Sequence, residues 1–192
     1  MKKLLILACA AAAFSLAAGN AMADSIKGKI GVTGKIGFVI PADGDIGPYK
    51  NETDAGFIGG GGLLYGIDNH FAAEIDITRS DFGSEFGDFG VTNVALGAQY
   101  RFLLEQPKLV PFVGAGLDIL VSDSEQGRSV DTTVGVHASG GVDYFLTKRF
   151  ALTTEAKLVL APETDIRVPA GKLGNFDPSG FSTTFGIRYF FN

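Results

Sequence analysis

His137 and Ser139 stand two residues apart in the stretch GVHASGGVDYF. In a strand, residues two apart share a face and lie about 7 Å from each other. A histidine beside a serine can take the hydroxyl proton and leave a nucleophilic oxygen, if a third group orients the imidazole. A turn over residues 146–149 predicts a register in which Ser139 faces Glu155 and His137 faces Lys157. Glu155 would then complete a His-Ser-Glu set. The competing reading is plainer. H-x-S is a short fragment that chance supplies freely, and polar residues on one strand face also fill the inside of a closed sheet. The choice depends on what the neighbouring elements enclose.

Those elements alternate with period two along almost the whole chain. The first apolar face is Ile26, Ile30, Val32, Ile36, Phe38 and Ile40, against Lys27, Lys29, Gly31, Thr33 and Lys35. Further alternating segments cover residues 55–67, 71–79, 90–102, 109–121, 132–145, 150–160 and 181–191. Their polar faces carry Glu74 and Asp76, then Asn93, Gln99 and Arg101, then Asp118, then His137, Ser139 and Asp143, then Glu155 and Lys157, and finally Arg188. This predicts eight strands and no helix beyond the N-terminal segment. Connections alternate between short (68–70, 103–108, 146–149) and long (41–54, 80–89, 122–131, 161–180).

The first 23 residues read as a cleaved export signal. Lys2 and Lys3 precede the apolar run LLILACAAAAFSLAA, and Ala21-Met22-Ala23 is a small-x-small cleavage site before Asp24. The run is shorter than the roughly 20 residues of a spanning helix. Residues 24–192 are then expected to form one domain. The single cysteine, Cys9, lies in the signal, so disulfide and thiol chemistry are excluded from that domain. Formal charge moves from 16 − 21 = −5 to 14 − 21 = −7 once Lys2 and Lys3 are removed. Such acidity argues against nucleic acid as a partner.

Three features orient the faces. The polar face is rich in glycine (Gly31, Gly37, Gly60, Gly62, Gly97, Gly114, Gly116), as a narrow eight-strand interior requires. Aromatics flank the short turns on the apolar face: Tyr65 and Phe71, Tyr100 and Phe102, Tyr144 and Phe150, Tyr189 and Phe191. These make an interfacial girdle. Closure also removes every strand edge, as hydrocarbon demands. The expected fold is all-β: an eight-stranded antiparallel up-and-down transmembrane β-barrel with short periplasmic turns and long extracellular loops, apolar side outward.

The ending FSTTFGIRYFF resembles the C-terminal strand of bacterial outer-membrane proteins, which the barrel-assembly machinery recognises. VPFVGAGLDILV and GVHASGGVDYFLTKRFALTTEAKL resemble the fifth to seventh strands of the OmpW and OmpA-like small-barrel superfamily. The resemblance implies an outer-membrane location in a Gram-negative-type envelope and a structural or narrow passive-pore role. HAS also matches the His-x-Ser fragment of outer-membrane lipid A deacylases. Their acidic partner, about a dozen residues past the serine, corresponds to Ala151, and the asparagine after their serine is Gly140. The chain is therefore read as not an enzyme, with a His137/Ser139 lipid A hydrolase or a loop-borne adhesin as alternatives.

The expected lumen network comprises Lys29, Lys35, Glu74, Asp76, Arg101, Asp118, His137, Ser139, Asp143, Glu155, Lys157 and Arg188. Charges so confined must pair or be hydrated. The long connections are acidic, but no EF-hand spacing is present, and no metal or cofactor is expected. Expected partners are outer-membrane lipid and lipopolysaccharide, and the assembly machinery through the last strand; a monomer is favoured.

Overall fold

The computed structural model describes residues 25–42, 44–46, 49–51, 55–82, 89–104, 108–124, 129–130, 132–168 and 171–191. The expected signal segment lies outside them. Eight long strands form the wall: β1 (Ile30–Pro41), β2 (Gly56–Gly66), β3 (Phe71–Phe82), β4 (Phe89–Arg101), β5 (Leu109–Ser124), β6 (Thr133–Phe145), β7 (Phe150–Leu160) and β8 (Gly180–Phe191). Each pairs antiparallel with its sequence neighbours, and β1 pairs with β8 to close the sheet.

The register sets the size of the barrel. From Phe190 the pairing runs through Gly31, Leu64, Glu74, Gly97, Gly116, His137 and Val159, and returns to β8 at Gly180. The shear is therefore 190 − 180 = 10 residues. With about 3.3 Å per residue and about 4.8 Å between strands, this tilts the strands by about 41° and puts the backbone about 8 Å from the axis. That radius leaves room for side chains but not for an open channel, unless the residues inside are small.

Burial shows which face is which. Phe38 is 64% exposed, Ile36 59% and Leu117 56%, while Asp118 and Asp143 are 0% and Arg101 1% exposed. Apolar groups form the outer surface and ionised groups the core, the inverse of a water-soluble barrel.

Three expectations need correction. Ile26 is not on the outer face: it is buried, and it packs in the mouth of the barrel with Leu64, Ala72, Val110, Phe145, Ala151 and Phe190. The chain there turns inward at Gly28, whose φ is +72°, a conformation that glycine adopts freely. Gly28 N–H donates to Gly66 O at 2.7 Å, and Gly66 N–H donates to Lys29 O at 3.0 Å. Lys27 is accordingly exposed. The long connections also hold five short strands: Gly44–Ile46, Tyr49–Asn51, Ser129–Val130, Thr164–Val168 and Gly171–Phe176. They pair with one another and with β5, extending the sheet beyond the wall. Pairing satisfies loop backbone groups that alternation cannot reveal.

Candidate functional site: the polar lumen

The short-turn end of the lumen is closed by apolar packing. Phe145 and Phe190 stack with ring centroids 5.6 Å apart, above Ile26. Both follow the inward parity of their strands, alongside Asp143 and Arg188, so period two alone would have placed them inside.

Above this lies the tightest ionic cluster. Arg101 Nη2 reaches Asp143 Oδ2 at 2.5 Å, and Arg188 Nη1 donates to both oxygens of Asp143 at 2.8 and 3.1 Å. Arg188 Nη2 meets Glu74 Oε1 at 3.2 Å, and its Nε donates to Thr33 Oγ1 at 2.8 Å. Gln99 donates to Glu74 and accepts from Arg101. Phe112 lies under both guanidiniums, 5.9 Å from Arg101 and 5.7 Å from Arg188, which adds cation–π attraction in a dry setting. Parity places Thr33, Gln99 and Phe112 inward, but the sequence did not assign them to the network.

A second cluster follows. Lys35 Nζ binds Asp76 Oδ2 at 2.5 Å and Glu155 Oε2 at 3.0 Å, and Lys157 Nζ approaches Asp76 Oδ2 at 3.5 Å. Asp118 belongs to a third, accepting from Asn93 Nδ2 at 2.7 Å and meeting His137 Nδ1 at 2.6 Å. Lys29 stands one residue below β1, half-buried at the mouth, with its N–H donating to Ile26 O at 2.9 Å. It is not on the strand face with the other network residues.

The His-Ser-Glu set does not assemble. The β6–β7 pairing puts Ser139 opposite Lys157 and His137 opposite Val159, two residues away from the expected register. Leu146 N–H donates to Phe150 O at 2.9 Å, which brings Leu146 into the pairing and shortens the turn. The imidazole lies over β5 and β4, where a Cβ on Gly116 would come within 2.7 Å of its Cε1 and one on Gly97 within 3.1 Å of its Nε2. Its orienting acid is Asp118 on β5, not Glu155, whose carboxylate is taken by Lys35. Ser139 Oγ sits against Gly114, across β5, with no hydrogen bond among the described residues.

Toward the long loops the lumen opens into a cavity of about 60 Å³, large enough to hold water. Lys35, Glu155 and Lys157 form its polar floor; Ile58, Val91, Leu120 and Val159 give it apolar walls.

The outer face carries the girdle. Phe71 and Tyr100 pack edge to face at 5.1 Å, Tyr100 and Phe102 at 5.0 Å, and Tyr189 and Phe191 at 4.9 Å. Phe150 registers with Tyr189, Tyr65 with Ala73, and Tyr144 with Leu109. No group of three or more His, Cys, Asp or Glu side chains suited to a metal occurs among the described residues.

This architecture has many relatives. OprG of Pseudomonas aeruginosa superposes with a TM-score of 0.70 at 16% identity, covering 89% of this chain and 99% of that one. Neisserial surface protein A gives 0.67 at 18% identity, over 86% and 98%. Outer membrane protein W of E. coli gives 0.53 at 18% identity, over 86% and 98%. At such identities the likeness shows the fold. No curated protein matches the chain. The sequence itself matches the outer membrane protein beta-barrel domain over residues 8–191. Alternation, closure, inverted burial and that match agree: the chain belongs to the outer membrane protein beta-barrel domain family, and its place is the outer membrane.

Proposed function

We propose that the protein is an integral barrel with a structural role at the cell surface, its lumen closed to solutes. The supporting observation is Asp143 held between Arg101 and Arg188 over Phe112, all four no more than 2% exposed, with the Phe145–Phe190 stack beneath. A solute crossing here would have to break several charge-assisted hydrogen bonds at once, each stronger than its neutral counterpart. Planar bilayers containing the refolded barrel should stay silent. Discrete current steps would overturn this reading in favour of a narrow pore, and neutralising Arg101 or Glu74 should then change the ion selectivity.

The same reading holds that lipopolysaccharide surrounds the long-loop end, that the assembly machinery engages β8, that the barrel is monomeric, and that residues 1–23 direct export and are cleaved off after Ala23. N-terminal sequencing of the membrane-inserted protein tests the last point. A hydrolase role is not favoured, because His137 turns toward Asp118, Lys157 opposite Ser139 is drawn to Asp76, and Ser139 Oγ makes no hydrogen bond among the described residues.

A further inference from the structure

We propose that one sector of the short-turn rim, formed by the β4–β5 and β6–β7 turns, is a docking surface for anionic phospholipid in the periplasmic leaflet. Two independent features coincide there. Leu103, Leu104 and Leu146 project from the turns beyond the aromatic girdle, 53%, 48% and 44% exposed. Exposed leucines beyond a girdle gain nothing in bulk water but are favoured in the headgroup–acyl boundary. Among them stand Lys108, Lys148 and Arg149, none of which carries an ion pair among the described residues.

Backbone hydrogen bonds fix where Lys108 and Arg149 leave the chain. Phe145 N–H donates to Lys108 O at 2.8 Å, and Phe190 N–H donates to Arg149 O at 2.8 Å. These bonds tie the turns to the neighbouring strand ends. Thr147 Oγ1 accepts from the N–H groups of Arg149 at 3.3 Å and Phe150 at 3.1 Å, which stiffens the turn. Lys108 Nζ lies 6.0 Å from the Tyr144 ring centre, at girdle height. A cation at headgroup level beside an apolar anchor suits a lipid phosphate, and basic residues near a membrane surface select anionic lipid. Glu105 lies in the same connection by sequence and leaves the sector net positive. On the opposite side of the rim, Asp68 lies within electrostatic reach of His70 and Lys27, and the turn over residues 67–70 carries no leucine.

Native mass spectrometry tests this on the folded full-length barrel, ejected from nanodiscs of equal parts phosphatidylcholine and phosphatidylglycerol. The wild type should retain phosphatidylglycerol preferentially. K108Q/K148Q/R149Q should lose that preference by about ten-fold or more, while Lys27→Gln keeps it. An unchanged gel shift on boiling establishes that the triple variant is folded. A second variant, L103S/L104S/L146S, should retain less of both lipids. The proposal is overturned if the wild type shows no preference or if the triple variant keeps it. It is equally overturned if the rim binds only an acidic cell-wall polymer. None of these outcomes bears on conductance, so this test and that of the closed lumen fail separately.

Discussion

Asp143 and Arg188, 45 residues apart in sequence, meet in the lumen at 2.8 and 3.1 Å, and Arg101 closes on the same carboxylate at 2.5 Å. One buried anion thus holds β4, β6 and β8 together. Removing it leaves two guanidiniums side by side without their shared partner. Asp143→Ala should cost about 3–5 kcal/mol of stability, the usual range for breaking a buried pair. Urea unfolding in lipid vesicles measures this, and a loss under about 1 kcal/mol would refute the structural weight given to Asp143.

Two glycines separate the inner from the outer wall. A Cβ on Gly116 would stand 2.2 Å from Leu96 O and 2.7 Å from His137 Cε1, whereas one on Gly34 meets nothing within 4 Å. Gly116→Ala should destabilise by about 1–3 kcal/mol through overpacking. Gly34→Ala should stay within about 0.5 kcal/mol, as a surface change does. Equal effects in an unfolding titration would contradict the assigned faces.

Ser139→Ala should leave the lipid A profile of overexpressing cells unchanged and stability nearly so. His137→Ala should also leave the profile unchanged. It should nevertheless cost about 1–3 kcal/mol, because Asp118 then keeps only Asn93 as a hydrogen-bond partner among the described residues. Deacylated lipid A that vanishes with Ser139 would restore the hydrolase reading.

Leu96 lies mid-strand on the outer face, 51% exposed. Leu96→Arg should cost about 2–4 kcal/mol in a bilayer, and Leu103→Arg at the rim only about 0–1 kcal/mol, the depth dependence expected of a lipid-facing wall. Similar costs at both sites would place the membrane elsewhere.

Asp68 stiffens the β2–β3 turn by accepting from the N–H groups of His70 and Phe71, each at 2.7 Å. These bonds, Phe71's first, hold its carboxyl below the ordinary carboxylate range. Its contribution is therefore present above the unfolded-state pKa and lost as pH falls through the folded one. The stability difference between wild type and Asp68→Ala should shrink on acidification below about pH 4. A difference that stays constant over that range would exclude the carboxylate as its source.

The wall of this protein is legible residue by residue in its sequence. Ile36 and Phe38 alternate with Lys35 and Gly37, and Leu117 and Ile119 with Gly116 and Asp118. Period two assigns such residues to opposite faces with no knowledge of a partner strand. Ile26 escaped this reading because a turn at Gly28 breaks the alternation. The loop strands escaped it because short pairings leave no hydrophobic period.

Pairing inside the lumen is a different kind of fact. A strand's own pattern says that Glu155 and His137 point inward, but not that Glu155 meets Lys35 or that His137 meets Asp118. Those contacts follow from the shear of ten residues around the closed sheet, and a two-residue change at one turn moves every partner while leaving every face intact. The sequence by itself determined the strands, their two faces and the membrane they suit, since these depend on local alternation and transfer from water. Only the tertiary structure decided which charges neutralise one another, because closure brings Thr33 and Arg188 within 2.8 Å across 155 residues of chain.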